Sequence, residues 1–304
     1  MGALVSVVIP NLHSPVIGDV LSALLAQAGD VSGQMEVWVV GQDRYGQVKP
    51  GERVHTLTTA QPVPPAKARN LGAAAAQGDT LIFLDSDCVP QPGWLAAMLD
   101  AAARWAGAGA ISGAMLPAGD TFVMHCGQVA RFHEHLHLNS PGQRRTLASF
   151  SLLVPRPVWE ATGGFDERFK FAAGEDLDFS VRVALQGYPL YFEPRATVHH
   201  RPKRASWSAM WQHDFRSGTQ GIVVRRRYAD YYQTPGWARV PWAWVLLSPA
   251  IALARTVQIY AGTPCLWLYW RCGLWVFFSK LAWCWGAASG LRRQPVESAS
   301  GSNM

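Results

Sequence analysis

Four short apolar runs, Val5 to Ile9, Met35 to Val40, Val54 to Thr58 and Thr80 to Leu84, alternate with helical patterns at Val16 to Ala26, Ala66 to Ala76 and Gly93 to Ala103. Runs of this length bounded by turn residues read as strands buried on both faces. Their alternation with helices predicts an α/β fold, a mostly parallel sheet sandwiched by helices. Ligands of such sheets bind beyond the carboxyl ends of the strands. Pro10-Asn11, Asp43 and Asp85-Ser86-Asp87 all lie just past strand ends and are expected to crowd one edge. No G-x-G-x-x-G follows the first strand and no G-x-x-x-x-G-K occurs, which argues against dinucleotide-dehydrogenase and P-loop chemistry.

The fourth run ends in two carboxylates, Asp85 and Asp87, followed by Pro90. Acids where a central strand leaves the core are costly unless a cation neutralises them, and a divalent metal that also carries phosphates is the obvious candidate. The alternative is an Asp cap on the helix opening at Pro92-Gly93-Trp94, which uses one acid at most.

A second half-domain begins near Ala110. It holds a strand at Leu147 to Val154, a turn at Gly163-Gly164-Phe165-Asp166-Glu167, and an acidic helix start at Gly174-Glu175-Asp176-Leu177-Asp178. Three acids in one first turn complement the helix dipole, but that effect accounts poorly for the third, which leaves one for acid or base work.

Together these segments resemble the family 2 inverting glycosyltransferases, which have a GT-A fold with a Rossmann-like sheet. Val7-Val8-Ile9-Pro10, Ala66-Lys67-Ala68-Arg69-Asn70-Leu71-Gly72, Phe83-Leu84-Asp85-Ser86-Asp87, the Gly163 turn extended to Arg168-Phe169, the Gly174 segment and His199-His200-Arg201 run in the family's order over about 200 residues. The resemblance implies that Asp87 coordinates a divalent cation, Mg²⁺ or Mn²⁺, bridging the phosphates of a UDP-, GDP- or dTDP-sugar. Asp85 is then expected at the ribose or the metal shell. Arg69 is the implied donor-contacting arginine, with Pro10, Lys67 and Asp43 on the donor side. Asp176, with Glu175 as second candidate, is the implied general base, and Asp178 orients the turn. His200 is the first choice for a further metal ligand and His199 the fallback.

The sequence departs from the family pattern in two places. Relatives usually end the second strand in an acidic pair that reads the base, whereas here Gly41-Gln42-Asp43 follows and Asp43 is the substitute. Ser149-Phe150-Ser151 stands where an asparagine is typical. His133-Glu134-His135-Leu136-His137 satisfies H-E-x-x-H, but Asn139-Ser140-Pro141-Gly142 breaks the chain at once, whereas a zinc protease needs that motif inside a stable helix. The family resemblance implies that Glu134 and its histidines lie near the acceptor; structural surface histidines are the alternative.

The chain divides by charge. Residues 1–200 hold 14 Lys or Arg against 18 Asp or Glu, and residues 201–304 hold 13 against 3, together with ten of the 14 tryptophans. Basic charge mixed with Trp suits a membrane interface better than a nucleic-acid groove. From Val240 to Leu291 the longest charge-free stretches, 240–254 and 256–270, are 15 residues each, short of the roughly 20 that span a bilayer. Interfacial helices are expected, with Arg225-Arg226-Arg227 and Arg292-Arg293 on anionic lipid; a buried helical cap or a dimer face is the alternative. Five cysteines without a C-x-x-C pair fit a reducing compartment, and the N-terminus carries no signal-peptide pattern.

The expected organisation is a catalytic domain at 1–204 (donor half 1–109, acceptor half 110–204), a helical basic and Trp-rich extension at 205–293, and a disordered tail at 294–304. The expected function is metal-dependent inverting transfer from a nucleotide-sugar to an acceptor hydroxyl, saccharide or lipid-linked, in glycan, polysaccharide or glycolipid assembly. The expected location is peripheral, at the cytoplasmic face of a membrane. A non-catalytic nucleotide-sugar binder or scaffold subunit is the alternative of a different class. A nucleotidyltransferase lacks its Gly-rich basic loop here, where Asn11-Leu12-His13-Ser14-Pro15 follows the first strand.

Overall fold

The computed structural model describes residues 4–29, 35–117, 121–201 and 206–293; the expected domain boundary near residue 204 and the tail at 294–304 lie outside the described residues. Nine strands form one sheet: β1 (Val5–Leu12), β2 (Met35–Gln42), β3 (Val54–Thr58), β4 (Thr80–Leu84), β5 (Cys88–Pro90), β6 (Ala110–Leu116), β7 (Gly142–Arg144), β8 (Ser151–Pro155) and β9 (Leu190–His200). Their order is β3-β2-β1-β4-β8-β6-β9-β5, with β7 also on β9. The first four are mutually parallel, β8 enters antiparallel between β4 and β6, and β6 and β9 are again parallel.

Alternation along the strands divides the core in two, as a sheet covered on both faces requires. Val7 and Ile9 of β1, with Ile82 and Leu84 of β4, pack with Ile17, Val20 and Leu24 of α1 (Ile17–Leu25) and Trp94, Leu95 and Met98 of α3 (Trp94–Arg104). Val8, Leu81 and Phe83 point the other way, towards α2 (Pro65–Ala75), α5 (Arg156–Thr162) and α6 (Glu175–Leu185). There Phe83, Trp159, Phe165 and Phe179 form one aromatic cluster with ring centroids 4.8 to 5.6 Å apart. Gly72 lets α2 lie close to the sheet, since a Cβ there would run into the Val8 side chain.

The strand expected at Leu147 to Val154 begins only at Ser151. The Phe150 carbonyl accepts the Asp85 N–H at 3.0 Å, one step beyond the Leu84–Ser151 pair, and the chain turns at Ser149-Phe150, which leaves Leu147 to Phe150 buried and lining the cleft described below. The H-E-x-x-H segment lies beyond the end of α4 (Phe122–Phe132). His133 to His135 form one 3₁₀ turn and Leu136 is extended, so the two histidines do not share a helix.

After residue 205 the chain is helical: α7 (Trp207–Arg227), α8 (Ala229–Tyr232), α9 (Pro241–Leu246), α10 (Ser248–Gly262), a 3₁₀ segment (Pro264–Cys272) and α11 (Gly273–Arg293). No helix among the described residues is long and apolar enough to cross a membrane. α7 and α11 touch backbone to backbone, because a Cβ on Gly218 would meet the Trp283 carbonyl and one on Gly286 the Phe215 carbonyl. α11, through Val276, and the 3₁₀ segment, through Cys272, also pack with Cys126 and Val129 of α4, which joins the extension to the sheet domain. The arginines expected on lipid are partly turned inward. Arg227 bonds Asp178 and Asp166 at 2.6 and 2.8 Å, and Arg225 lies over the rings of Tyr232 and Trp283. Trp244 and Trp275 are buried, whereas Trp237, Trp242, Trp267, Trp270 and Trp285 are exposed.

Candidate active site

A cleft of about 540 Å³ opens at the carboxyl edge of the sheet. Pro10 and Asn11 at the end of β1, Asp85, Ser86 and Asp87 beyond β4, Arg69 of α2, and Glu175 and Asp176 of α6 all line it. The loops are tied together at this edge. Asn11 Nδ2 donates to the Gln42 carbonyl at 3.1 Å, its Oδ1 accepts the Ser14 N–H, and Ser14 Oγ donates to the Ser86 carbonyl at 2.7 Å. The Asp85-Ser86-Asp87 turn is thus fixed by β1. It does not cap α3, whose N-cap is Gly93 at φ 80° with no side-chain hydrogen bond.

Arg69 is buried and joins the turn after β4 to the start of α6. Nη2 donates to Asp85 Oδ1 at 2.7 Å and Nη1 to Glu175 Oε1 at 3.1 Å. Asn70 beside it clasps the glycine turn, donating to the Phe165 carbonyl and accepting the Phe165 N–H, each at 2.9 Å. Gly163 and Gly164 take φ of 75° and 71°, a region that costs other residues strain, and this lets the chain reverse over Asn70.

α6 starts at Gly174, φ 93°. Glu175 is buried, and that burial, reinforced by the Asp176 charge against the opposing pull of Arg69, pushes its carboxyl up to about 7. Asp176 is half-buried and open to the cleft; desolvation holds its carboxyl above the ordinary range, although Arg69 and the Leu177 N–H at 2.8 Å pull the other way. Asp178 points away from the cleft and is fully occupied, by Arg182 at 2.8 Å, Arg227 at 2.6 Å and the Tyr228 hydroxyl at 3.0 Å.

His200, at the end of β9, brings Nε2 to 3.6 Å from Asp87 Oδ2. It stands directly across the antiparallel β5–β9 pair from Cys88, so Asp87, Cys88 and His200 offer ligand atoms within 4.8 Å of one another. His199 alternates to the other face of β9 and does not line the cleft. Asp43 and Lys67 do not line it either. The Asp43 carboxylate accepts the N–H groups of Tyr45 at 3.1 Å and Val48 at 2.7 Å within its own loop, and Lys67 is exposed on α2.

One wall was not anticipated from the sequence. Arg131 of α4, His213 and Asp214 of α7, and Lys280 and Trp283 of α11 close the cleft, with His133 and Glu134 beside them. Arg131 pairs with Asp214 at 3.2 Å, and Lys280 Nζ donates to the Ala130 carbonyl at 2.7 Å. Burial pushes the Lys280 ammonium down to about 8, with the Asp214 charge working against that shift. A signal was present: Asp214 is one of only three acids after residue 200, and a lone acid in a basic, apolar helix marks a buried pair.

Residues 2–219 match the model of the family described as Glycosyltransferase like family 2. The pre-mycofactocin glycosyltransferase of Mycobacterium tuberculosis is 29% identical over 208 residues, 64% of this chain and 42% of that protein. The N-acetylglucosaminyl-diphospho-decaprenol L-rhamnosyltransferase of the same organism is 28% identical over 193 residues, 55% of this chain and 60% of that protein. An uncharacterised Sinorhizobium fredii protein, y4gI, is 26% identical, and the match takes in only 24% of its length. The chain therefore spans well under half the length of the first of these relatives. Among solved structures, the mannosyltransferase PcManGT of Pyrobaculum calidifontis, in complex with GDP-Man and Mn²⁺, superposes with a TM-score of 0.65 at 17% identity, covering 95% of this chain and 88% of that one. GalNAc-T7 with UDP, GalNAc and Mn²⁺ gives 0.58 at 16% identity, covering 78% of this chain and 50% of that one. The fold is GT-A, and the chain belongs to the glycosyltransferase family 2-like proteins.

Proposed function

We propose that this protein transfers a sugar from a nucleotide-sugar donor to an acceptor hydroxyl, with inversion at the anomeric carbon and in dependence on a divalent cation. The observation that carries the reading is the Arg69 bridge. It ties Asp85, beyond β4, to Glu175, at the start of α6, in one cleft that the neighbouring Asp176 carboxylate also lines, and this supports a donor side at Asp85 and an acceptor side at Asp176. Family membership and the nucleotide-bound structural neighbours support the same reaction class.

The donor set fits a hard divalent ion. Asp87, Cys88 and His200 offer ligand atoms within 4.8 Å of one another, and burial, reinforced by the Asp87 and Asp85 charges, pushes the Cys88 thiol well up and keeps it protonated, which leaves the carboxylate and the imidazole as the ligating pair. Asp87 and His200 would hold Mn²⁺ or Mg²⁺, with Asp85 beside them, and when bound the ion offsets the charge of the departing diphosphate. Asp176 takes the proton of the acceptor hydroxyl, whose oxygen forms the new bond to the anomeric carbon on the face opposite the breaking bond to phosphate. Glu175, held by Arg69, fixes the turn that aims Asp176. Arg131 and Lys280 give the acceptor wall a cationic lining.

The donor is a UDP-, GDP- or dTDP-sugar and the acceptor a saccharide or lipid-linked glycan. The setting is glycan, polysaccharide or glycolipid assembly at the cytoplasmic face of a membrane, with the chain bound peripherally. The test is melting temperature against UDP, GDP, dTDP and CMP, each with and without Mn²⁺ or Mg²⁺. Stabilisation by one nucleotide only with metal, and lost in Asp87→Ala, supports the proposal. No shift with any nucleotide overturns it in favour of a scaffold role.

A further inference from the structure

The last four segments pack on one another and each leaves an apolar side outward. Leu246 ends α9 at 70% exposure. Leu253 faces out from α10, Leu268 (74%) and Trp270 (64%) from the 3₁₀ segment, and Leu274 (70%) and Phe278 from α11. On α11 the outward residues recur at i and i+4, whereas Ser279, Lys280 and Trp283 lie on the opposite side and line the cleft. Large apolar side chains exposed on four segments that touch one another are the mark of a surface that meets a partner.

Charge identifies the partner. Between Asp230 and Glu297 the sequence holds no acidic residue, while Arg239, Arg255 and Arg271 are exposed among the apolar groups. None of the three has an ion-pair partner among the described residues. A second copy of the same face would oppose arginine to arginine with no acid to relieve it. An anionic lipid surface instead accepts the arginines at its phosphates and the Trp and Leu side chains just below them. The helices are too short or too interrupted to cross, which leaves binding to a single leaflet.

We infer that α9, α10, the 3₁₀ segment and the outward side of α11 form one docking face that lies in the headgroup region of an anionic bilayer. α11 is then the partition between lipid and cleft, a single helix about 10 Å thick. This deepens the peripheral location proposed above by naming the surface and its orientation, and it rests on that reading only for its biological setting.

The experiment uses the full chain, without donor, metal or acceptor, and phosphatidylcholine vesicles with or without phosphatidylglycerol. Binding is read by co-sedimentation and by quenching of Trp fluorescence with bromine-labelled lipid. The expected result is binding to anionic vesicles that weakens with salt, quenching by shallow bromines, loss of binding in Leu268→Glu at an unchanged melting temperature, and about fivefold weaker binding in Arg255→Gln. If Leu268→Glu does not fold, the quenching of the unaltered chain decides. The inference is overturned if the chain stays in the supernatant with every lipid, if bromines do not quench, if folded Leu268→Glu binds undiminished, or if the face is buried in a lipid-free dimer that Leu268→Glu splits. Since no turnover is involved, a failed nucleotide shift leaves this result standing, and failed vesicle binding leaves donor binding standing.

Discussion

Arg69 Nη1 donates to Glu175 Oε1 at 3.1 Å across 106 residues of chain, and both side chains are buried. The turn after β4, through Asp85, and the start of α6, through Glu175, therefore share one guanidinium. Removing one partner of a buried pair leaves the other uncompensated, so Arg69→Ala is expected to cost about 3 kcal/mol or more. Lysine cannot reach two carboxylates with a planar fork, so Arg69→Lys is expected to recover only part of that loss. Urea denaturation of the two variants measures both.

Asp87→Asn keeps the shape of the turn and removes the charge. The expected outcome is loss of the metal-dependent nucleotide shift while the unliganded melting temperature stays close to that of the unaltered chain. Differential scanning fluorimetry with and without Mn²⁺ reads both quantities.

Asp176→Asn is expected to lower kcat by a factor on the order of 10² to 10⁴, with little change in the KM for donor. The free enzyme is expected to gain activity with pH along a limb above the ordinary carboxylate range, because desolvation holds the Asp176 carboxyl up. The sign for stability is the reverse. A carboxyl such as Glu175, whose folded pKa lies above its ordinary value of 4.5, binds protons more tightly when folded, so its contribution falls as pH rises from about 4.5 to 7. Rate profiles and denaturation midpoints across that window separate the two effects.

His135 works in the opposite direction. It is buried, and desolvation followed by the nearby Arg144 charge pushes its imidazole down to about 4 from 6.5. The unfolded chain takes up that proton first, so stability is lost as pH falls from 6.5 towards 4. His135→Gln, which can still accept the Ala148 N–H, is expected to flatten that slope while costing little at neutral pH. Thermal melts from neutral to acidic pH make the comparison.

Gly286→Ala places a methyl group against the Phe215 carbonyl, where the helices already touch. Overpacking of this kind costs about 1 to 3 kcal/mol. The expected signature is a lower melting temperature together with a raised KM for the acceptor, since α7 and α11 carry Asp214, Lys280 and Trp283 into the cleft.

The sheet domain was legible because its signals are local. Val54–Thr58 and Thr80–Leu84 form strands over the residues their pattern marks, and Asp85, Asp87, Arg69, Glu175, Asp176 and His200 meet where strand ends bring them. Asp43 was less legible, since a carboxylate two residues past a strand can turn to its own loop, as this one does to Tyr45 and Val48. His199 and His200 were inseparable as neighbours in sequence; only the pairing of His200 with Cys88 decides which one faces the cleft. The wall from α7 and α11 was hidden for a different reason. Trp and Arg on an apolar helix have the same composition whether the helix faces lipid or a neighbour, and the glycines that bring these two helices together leave no periodic signal.

The absence of methyl groups at Gly218, Gly286 and Gly290 also sets how wide the cleft is. Each sits at the meeting of two backbones, so the spacing between α7 and α11 is fixed by atoms that never face a ligand. A methyl group at any one of them is therefore expected to part the two helices and shift the wall they form, with every group that lines the cleft left chemically unchanged.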